Sequence, residues 1–257
     1  MEPRRVGTWL VAIVVAIGGL GCARVSLHVE DPEAQHHEDV VPSVAPPDEA
    51  LADSPVVAEA ARSVVKVNTM APVCQKQLSG SGVVIAPSRV MSAAHTVAGA
   101  ETVTVSADGR DWPATVVSFD PSMDIAVLDV PGLPAPPLEM AEQPALTGTD
   151  ALVLGYPGGG PLVATPARIR EIIELRGPDI YNTTTVKREV YVIRGHVRQG
   201  DSGGPLIDLN NRVLGISFGA AVDDPETGFV LTARQIYSLV VQGVGATAPV
   251  ATGACVG

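Results

Sequence analysis

From Val57 onward, apolar residues come in short runs bounded by turn-forming residues. The runs fall at 63–67, 82–86, 89–92, 102–106, 114–118, 125–130, 151–155, 164–173, 186–193, 205–207, 213–218 and 229–232. Runs of this length, separated by glycine, proline and aspartate, predict strands. About twelve of them predict an all-β domain built as two small β-barrels. The last periodic stretch differs: Ala233-Arg-Gln-Ile-Tyr-Ser-Leu-Val-Val241 repeats its apolar residues at helical spacing and predicts a C-terminal helix. No self-similarity appears at the periods of about 20–50 residues that mark repeat folds.

The first 56 residues have two other textures. Arg4 and Arg5 precede an apolar run at 9–20, which reads as an export segment over residues 1–23. Three outcomes stay open for it: an uncleaved membrane anchor with the arginines inside the cell, cleavage with lipidation of Cys22, or plain secretion. Residues 24–56 are acidic, rich in Pro and Ala and without aromatics, and predict a disordered linker. His28, His36 and His37 fall there; the acids around them lack ligand spacing, so no metal is expected. The folded domain is then expected at 57–257, with no room after the helix for an added peptide-binding module.

Composition narrows the class. The chain has 257 residues, 46% of them apolar, with 26 Gly and 22 Pro, which suits many short strands and turns. Net charge is −11, which argues against a nucleic-acid partner. The charge is uneven: residues 24–56 carry eight acids against one arginine, while nineteen acids and fourteen bases lie from 57 on. The domain itself is only mildly acidic.

The chemistry centres on Gly200-Asp201-Ser202-Gly203-Gly204-Pro205. A serine hydroxyl is a weak nucleophile until a base activates it, and attack on a carbonyl needs N–H donors for the oxyanion. Flanking glycines let a substrate backbone come close. A base is available in Val90-Met-Ser-Ala-Ala-His95, and an acid in Met123-Asp124-Ile-Ala-Val-Leu128, with Asp120 and Asp129 as rivals. The order His95, Asp124, Ser202 is one of the known orders of the serine triad.

With these three motifs the chain resembles the chymotrypsin-like (trypsin-fold) serine proteases from about residue 57 to the end. Gly80-Ser-Gly-Val-Val-Ile-Ala86 and Tyr156-Pro-Gly-Gly-Gly-Pro161 are similar to the bacterial envelope branch, in particular the membrane-anchored acid-resistance proteases of mycobacteria and their relatives. The resemblance implies a cleft between the barrels as the site. It favours Asp124, which opens the Ile-Ala-Val-Leu run, over its rivals. His95 is then general base and acid, and the N–H groups of Gly200 and Ser202 the oxyanion donors. Ser217, Phe218 and Gly219 would bind the substrate backbone, Gly228 would line the specificity pocket, and His196 would either sit at the pocket floor or be an exposed loop histidine. No acid stands at the floor position, so cleavage after Lys or Arg is not supported. The trypsin-type start that would pair with Asp201 is also missing. Of three cysteines, Cys22 belongs to the export segment, leaving Cys74 and Cys255 to pair in an oxidising compartment.

The function expected is an extracytoplasmic serine endopeptidase at the periplasmic side of the membrane. It would act on protein or peptide substrates, without cofactor, through a monomeric protease domain that the N-terminal segment links to the membrane. The alternative is a degenerate protease fold serving as a binding module for envelope proteins.

Overall fold

The computed structural model describes residues 43–256. The expected export segment, Cys22, residues 24–42 of the linker and its three histidines lie outside the described residues.

All twelve expected strands form. Strands β1 (Val64–Ala71), β2 (Lys76–Ala86), β3 (Arg89–Ser92), β4 (Thr102–Ala107), β5 (Arg110–Asp120) and β6 (Ile125–Asp129) close a first barrel in the order β1-β2-β3-β6-β5-β4. Strands β7 (Asp150–Gly155), β8 (Val163–Pro178), β9 (Thr185–Arg194), β10 (Pro205–Ile207), β11 (Val213–Ala220) and β12 (Thr227–Thr232) close a second in the order β10-β11-β12-β9-β8-β7. Neighbouring strands pair antiparallel throughout both barrels.

Period-two alternation explains why some strands are apolar at every position. In β6, Ala126 and Leu128 point into the first barrel with Val65, Val84 and Val90, while Ile125 and Val127 point the other way. In β7, Ala151 and Val153 fill the second barrel with Ile169 and Tyr191, while Leu152 and Leu154 turn out of it. The outward sets meet in one shared core, joined by Val83, Met91, Ile207, Ile216 and Leu231. Strands buried on both faces read as continuous hydrophobic runs. Each such side chain stabilises the fold by about 1.5–3 kcal/mol on burial, so the shared core holds the two barrels together.

The C-terminal helix closes that core. The short helices α1 (Pro55–Ala60) and α2 (Ala94–Val97) precede it in the chain, and α3 spans Ala233–Gly245. Thr232 caps α3 by accepting the N–H of Gln235 at 3.1 Å. Ile236, Val240 and Gly243 are its buried face. A side chain at Gly243 would meet Val127 at 2.5 Å, so the missing Cβ is what lets the helix lie directly on β6.

The linker expectation needs correction at its end. Glu49–Asp53 forms a 3-10 turn capped by the Asp48 carboxylate, and α1 starts at Pro55. Leu51, Val56 and Val57 pack on the shared core, and Arg194 of β9 donates to the Val44 carbonyl at 2.9 Å. A few spaced apolar anchors order this stretch where its average composition suggests none. The folded part therefore begins before residue 57.

At the other end the chain leaves α3 and runs back along the first barrel. Val250 N–H donates to Val116 O, and Gly99 N–H to Thr252 O. Cys74 and Cys255 form a disulfide, 181 residues apart in sequence.

Candidate active site

His95 and Asp124 are both delivered by the first barrel. His95 stands in α2, just past β3; Asp124 ends the turn that enters β6. The Asp124 Oδ2 lies 2.7 Å from His95 Nδ1, and Oδ1 accepts the His95 backbone N–H at 2.9 Å. One carboxylate thus grips the ring and the main chain of the same residue. A third contact runs from Ala94 N–H to the Asp124 carbonyl at 3.2 Å. Asp124 achieves this with φ +59°, a left-handed conformation uncommon for a residue with a Cβ. The rivals are engaged elsewhere. Asp120 accepts the N–H groups of Ser122 and Met123, and Asp129 pairs with Arg89.

The pairing sets the electrostatics. Burial pushes the His95 imidazole down; its hydrogen bond to Asp124 and the charge of that carboxylate push it up by more, leaving it above its ordinary value. Asp124 is 5% exposed, whereas 34% of the His95 side chain still reaches solvent. The histidine can therefore exchange protons with what enters the cleft.

Ser202 comes from the second barrel, on the turn before β10. Gly200 and Gly203 hold φ +100° and +84°, which only glycine adopts without strain. At Gly203 a Cβ would meet the Ser81 carbonyl at 2.3 Å. The turn is pinned from several sides. Gly203 N–H donates to Ser217 O, Gly204 N–H to Asp201 O, and Gly158 N–H to Gln199 O at 2.7 Å. Ser81 Oγ donates to Gly200 O at 2.6 Å while accepting the Tyr156 N–H at 2.8 Å. In a trans peptide the C=O and N–H point opposite ways, so the Gly158 contact turns the Gly200 N–H away from Gly158. The N–H groups of Gly200 and Ser202 donate to no protein acceptor among the described residues. Unpaired backbone donors are rare in folded chains, and these two sit on the turn that carries the Ser202 hydroxyl.

Asp201 does not face solvent. It is 2% exposed and accepts the Arg198 N–H at 2.9 Å. Burial pushes its carboxyl up; the Arg198 N–H and charge offset that only in part.

Other expected residues divide. Ser217 is buried beside the turn, and its hydroxyl has no partner among the described residues. The β11–β12 register slips between Ser217 and Gly219, which leaves Phe218 as the bulged residue. Phe218 lines the same cleft cavity as His95 and Asp124, of about 560 Å³. Gly219 has open space where a Cβ would sit, while a Cβ at Gly228 would meet Val197 at 2.6 Å. His196 follows the second of its two readings, the exposed loop histidine, and not the pocket floor. It is exposed, its Nδ1 lies 2.8 Å from Pro225 O, and it lines a different cavity with Pro46 and Pro47, one that His95, Asp124 and Ser202 do not line. Nor does a hydrogen bond join Ser202 Oγ to His95 in this structure.

Two contributors went unread in the sequence. Ser81 sits within the Gly-Ser-Gly run of β2, and nothing in that run says its hydroxyl reaches the second barrel. Arg188 lies between a lysine and a glutamate in β9 and reads as part of a solvated face, yet it is 5% exposed beside Asp124 and Phe218.

Comparison with known proteins finds relatives along most of the chain. A model of the trypsin-like peptidase domain matches residues 80–216. Serine protease Rv3671c of Mycobacterium tuberculosis is 61% identical over 218 residues, which cover 84% of this chain and 54% of that protein. The chain thus spans about half the length of that relative. A probable periplasmic serine endoprotease DegP-like of Halomonas elongata is 32% identical over 146 residues, 56% of this chain and 30% of that protein. Among solved structures, the active form of the M. tuberculosis Rv3671c protease superposes with a TM-score of 0.84 at 58% identity, covering 89% of this chain and 100% of that one.

Proposed function

The chain belongs to the trypsin-like peptidase family, and from that premise we propose that it is a serine endopeptidase using His95, Asp124 and Ser202 through an acyl-enzyme. The observation that carries the reading is the pairing of a carboxylate-gripped imidazole on one barrel with a serine turn on the other that presents two unpaired N–H groups.

The chemistry follows from those parts. Ser202 Oγ attacks the scissile carbonyl carbon as His95 Nε2 takes its proton. Asp124 holds Nδ1–H and stabilises the imidazolium. The carbonyl oxygen becomes an oxyanion between the N–H groups of Gly200 and Ser202. Collapse breaks the C–N bond, and His95 returns the proton to the leaving amine. Water then attacks the ester through the same base, releasing the acid and restoring Ser202. Bonds of this kind are often long before substrate binds and tighten in the complex. The substrate backbone would add to β11 through Ser217 and Gly219.

We place the protein outside the cytoplasm, on the periplasmic side of the membrane. A disulfide, the basic-then-apolar start and the likeness to a periplasmic protease support that site. Among the described residues no helix is long and apolar enough to cross a membrane, and the basic-then-apolar start of the chain is the segment we assign to the membrane. The protease unit would act as a monomer on protein or peptide substrates.

A fluorophosphonate probe tests the reading. Ser202 should be labelled in the folded protein and not after Ser202→Ala, and peptide hydrolysis should track labelling. Folded protein that takes no label would point to the binding-module alternative.

A further inference from the structure

Arg188 lies on β9 of the second barrel and is 5% exposed. No carboxylate stands within ion-pair distance of its guanidinium among the described residues. Its Nε donates to Ser122 O at 2.9 Å, and its Nη1 to Pro178 O at 3.0 Å. The guanidinium carbon sits 5.7 Å from the centroid of the Phe218 ring. Three carboxylates reach it by field alone: Asp124, Asp179 and Asp120. Each is already bonded, to His95, to Thr183 and Thr184, and to the N–H groups of Ser122 and Met123.

Burying a guanidinium without a carboxylate is costly, and an apolar side chain would fill the space without that cost. What an arginine offers is a rigid fork of donors. Here the fork spans two elements: Pro178 at the base of the β8–β9 hairpin tip, and Ser122 in the loop that carries Asp124. That loop belongs to the first barrel and ends in a left-handed residue that needs outside support. The other hydrogen bond from the hairpin tip is longer, Ile180 N–H to Pro121 O at 3.3 Å.

Resting on the peptidase reading, we infer that Arg188 is a positioning residue: it bolts the Ser122 carbonyl to the second barrel and so holds Asp124 where it can grip His95. The barrel that supplies Ser202 thereby also sets the acid of the opposite barrel.

The test uses Arg188→Lys, which keeps the charge and loses the fork, and Arg188→Gln. Both are measured in the full chain by steady-state kinetics on a peptide and by NMR titration of His95. The other charged groups facing the pair (Asp120, Asp179 and Arg176) are unchanged in the lysine variant, which also keeps a positive charge at position 188. We expect kcat to fall about ten- to hundredfold, with KM within about twofold. The His95 titration should move to lower pH, since an imidazole losing its carboxylate loses what holds it up. In an Asp124→Asn background, Arg188→Lys should cost nothing more. A normal titration and kcat in Arg188→Lys, a loss confined to KM, or an equal loss without Asp124 would each overturn the inference. So would outright unfolding of both variants, which would make Arg188 a determinant of the fold. The titration is read without turnover, so it stands even if the wild-type chain cleaves nothing; that failure would strike the peptidase reading instead.

Discussion

The backbone N–H of Ser81 donates to the carbonyl of Ser202 at 2.9 Å, a direct bond between the first barrel and the serine turn of the second. The Ser81 hydroxyl adds the bridge from Tyr156 N–H to Gly200 O. Ser81→Ala strands both of those buried groups. We expect a stability loss of about 1–3 kcal/mol, read from urea midpoints. We also expect a kcat loss of roughly tenfold, with KM little changed, as the oxyanion turn loosens. Wild-type kcat in a measurably destabilised Ser81→Ala protein would show that the bridge serves the fold alone.

The raised His95 value fixes a pH response with opposite signs for rate and stability. The base must be neutral, so kcat/KM should fall on the acid side with a midpoint above 6.5, the ordinary histidine value. The stability that His95 gains from Asp124 is full below 6.5 and is lost as pH rises through the raised value. Rate profiles and urea midpoints from pH 5 to 9 check both slopes. A midpoint below 6.5 would contradict the pairing.

Replacing the acid isolates its share. Asp124→Asn keeps the shape and removes the charge, and with it the preference for the productive tautomer. We expect kcat to fall about ten-thousandfold and the His95 titration to drop, because burial then acts with much less to oppose it. A rate within about tenfold of wild type would reopen the case for Asp120 or Asp129.

The disulfide should matter to stability more than to chemistry. It closes a loop spanning 181 positions, for which chain entropy assigns at most ~5 kcal/mol. Reduction, or Cys74→Ser, should lower the Tm and speed self-digestion. Alkylation of both thiols in native oxidised protein would remove the premise.

Residues 43–56 pack as part of the folded unit. Leu51→Ala takes an anchor off the shared core and should cost about 1–2 kcal/mol. A chain starting at Val57 also loses the Arg194 bond to Val44 and should melt lower. Equal melting points would restore the picture of a plain tether.

The parts that could be read from sequence are those where one local pattern carries the meaning. The Ile-Ala-Val-Leu run of β6 has to be buried on two faces, and it is. The glycines around Ser202 match the left-handed angles the turn requires. The tether was misjudged because composition averages over residues, whereas Leu51 and Val56 act singly by landing on a core built far away in sequence. Arg188 was invisible for a related reason. Lys187-Arg188-Glu189 looks like a wetted strand face, and only the lean of the β8–β9 hairpin toward the Asp124 loop buries its middle residue. His196 is near Ser202 in sequence, but the 194–198 segment turns toward Pro46 and Pro47 and away from the cleft.

The link between Cys74 and Cys255 encloses β2 to β12 and α3 within a covalent ring and leaves β1 outside it. Surface loops are where a protease is cut, by itself or by neighbours. A single scission anywhere inside that ring releases no fragment: the two halves stay one molecule, migrating as intact protein until a reductant is added. A folded, nicked form could keep its three site residues in register and go on working. Damage would then register as loss of activity only in a reducing environment.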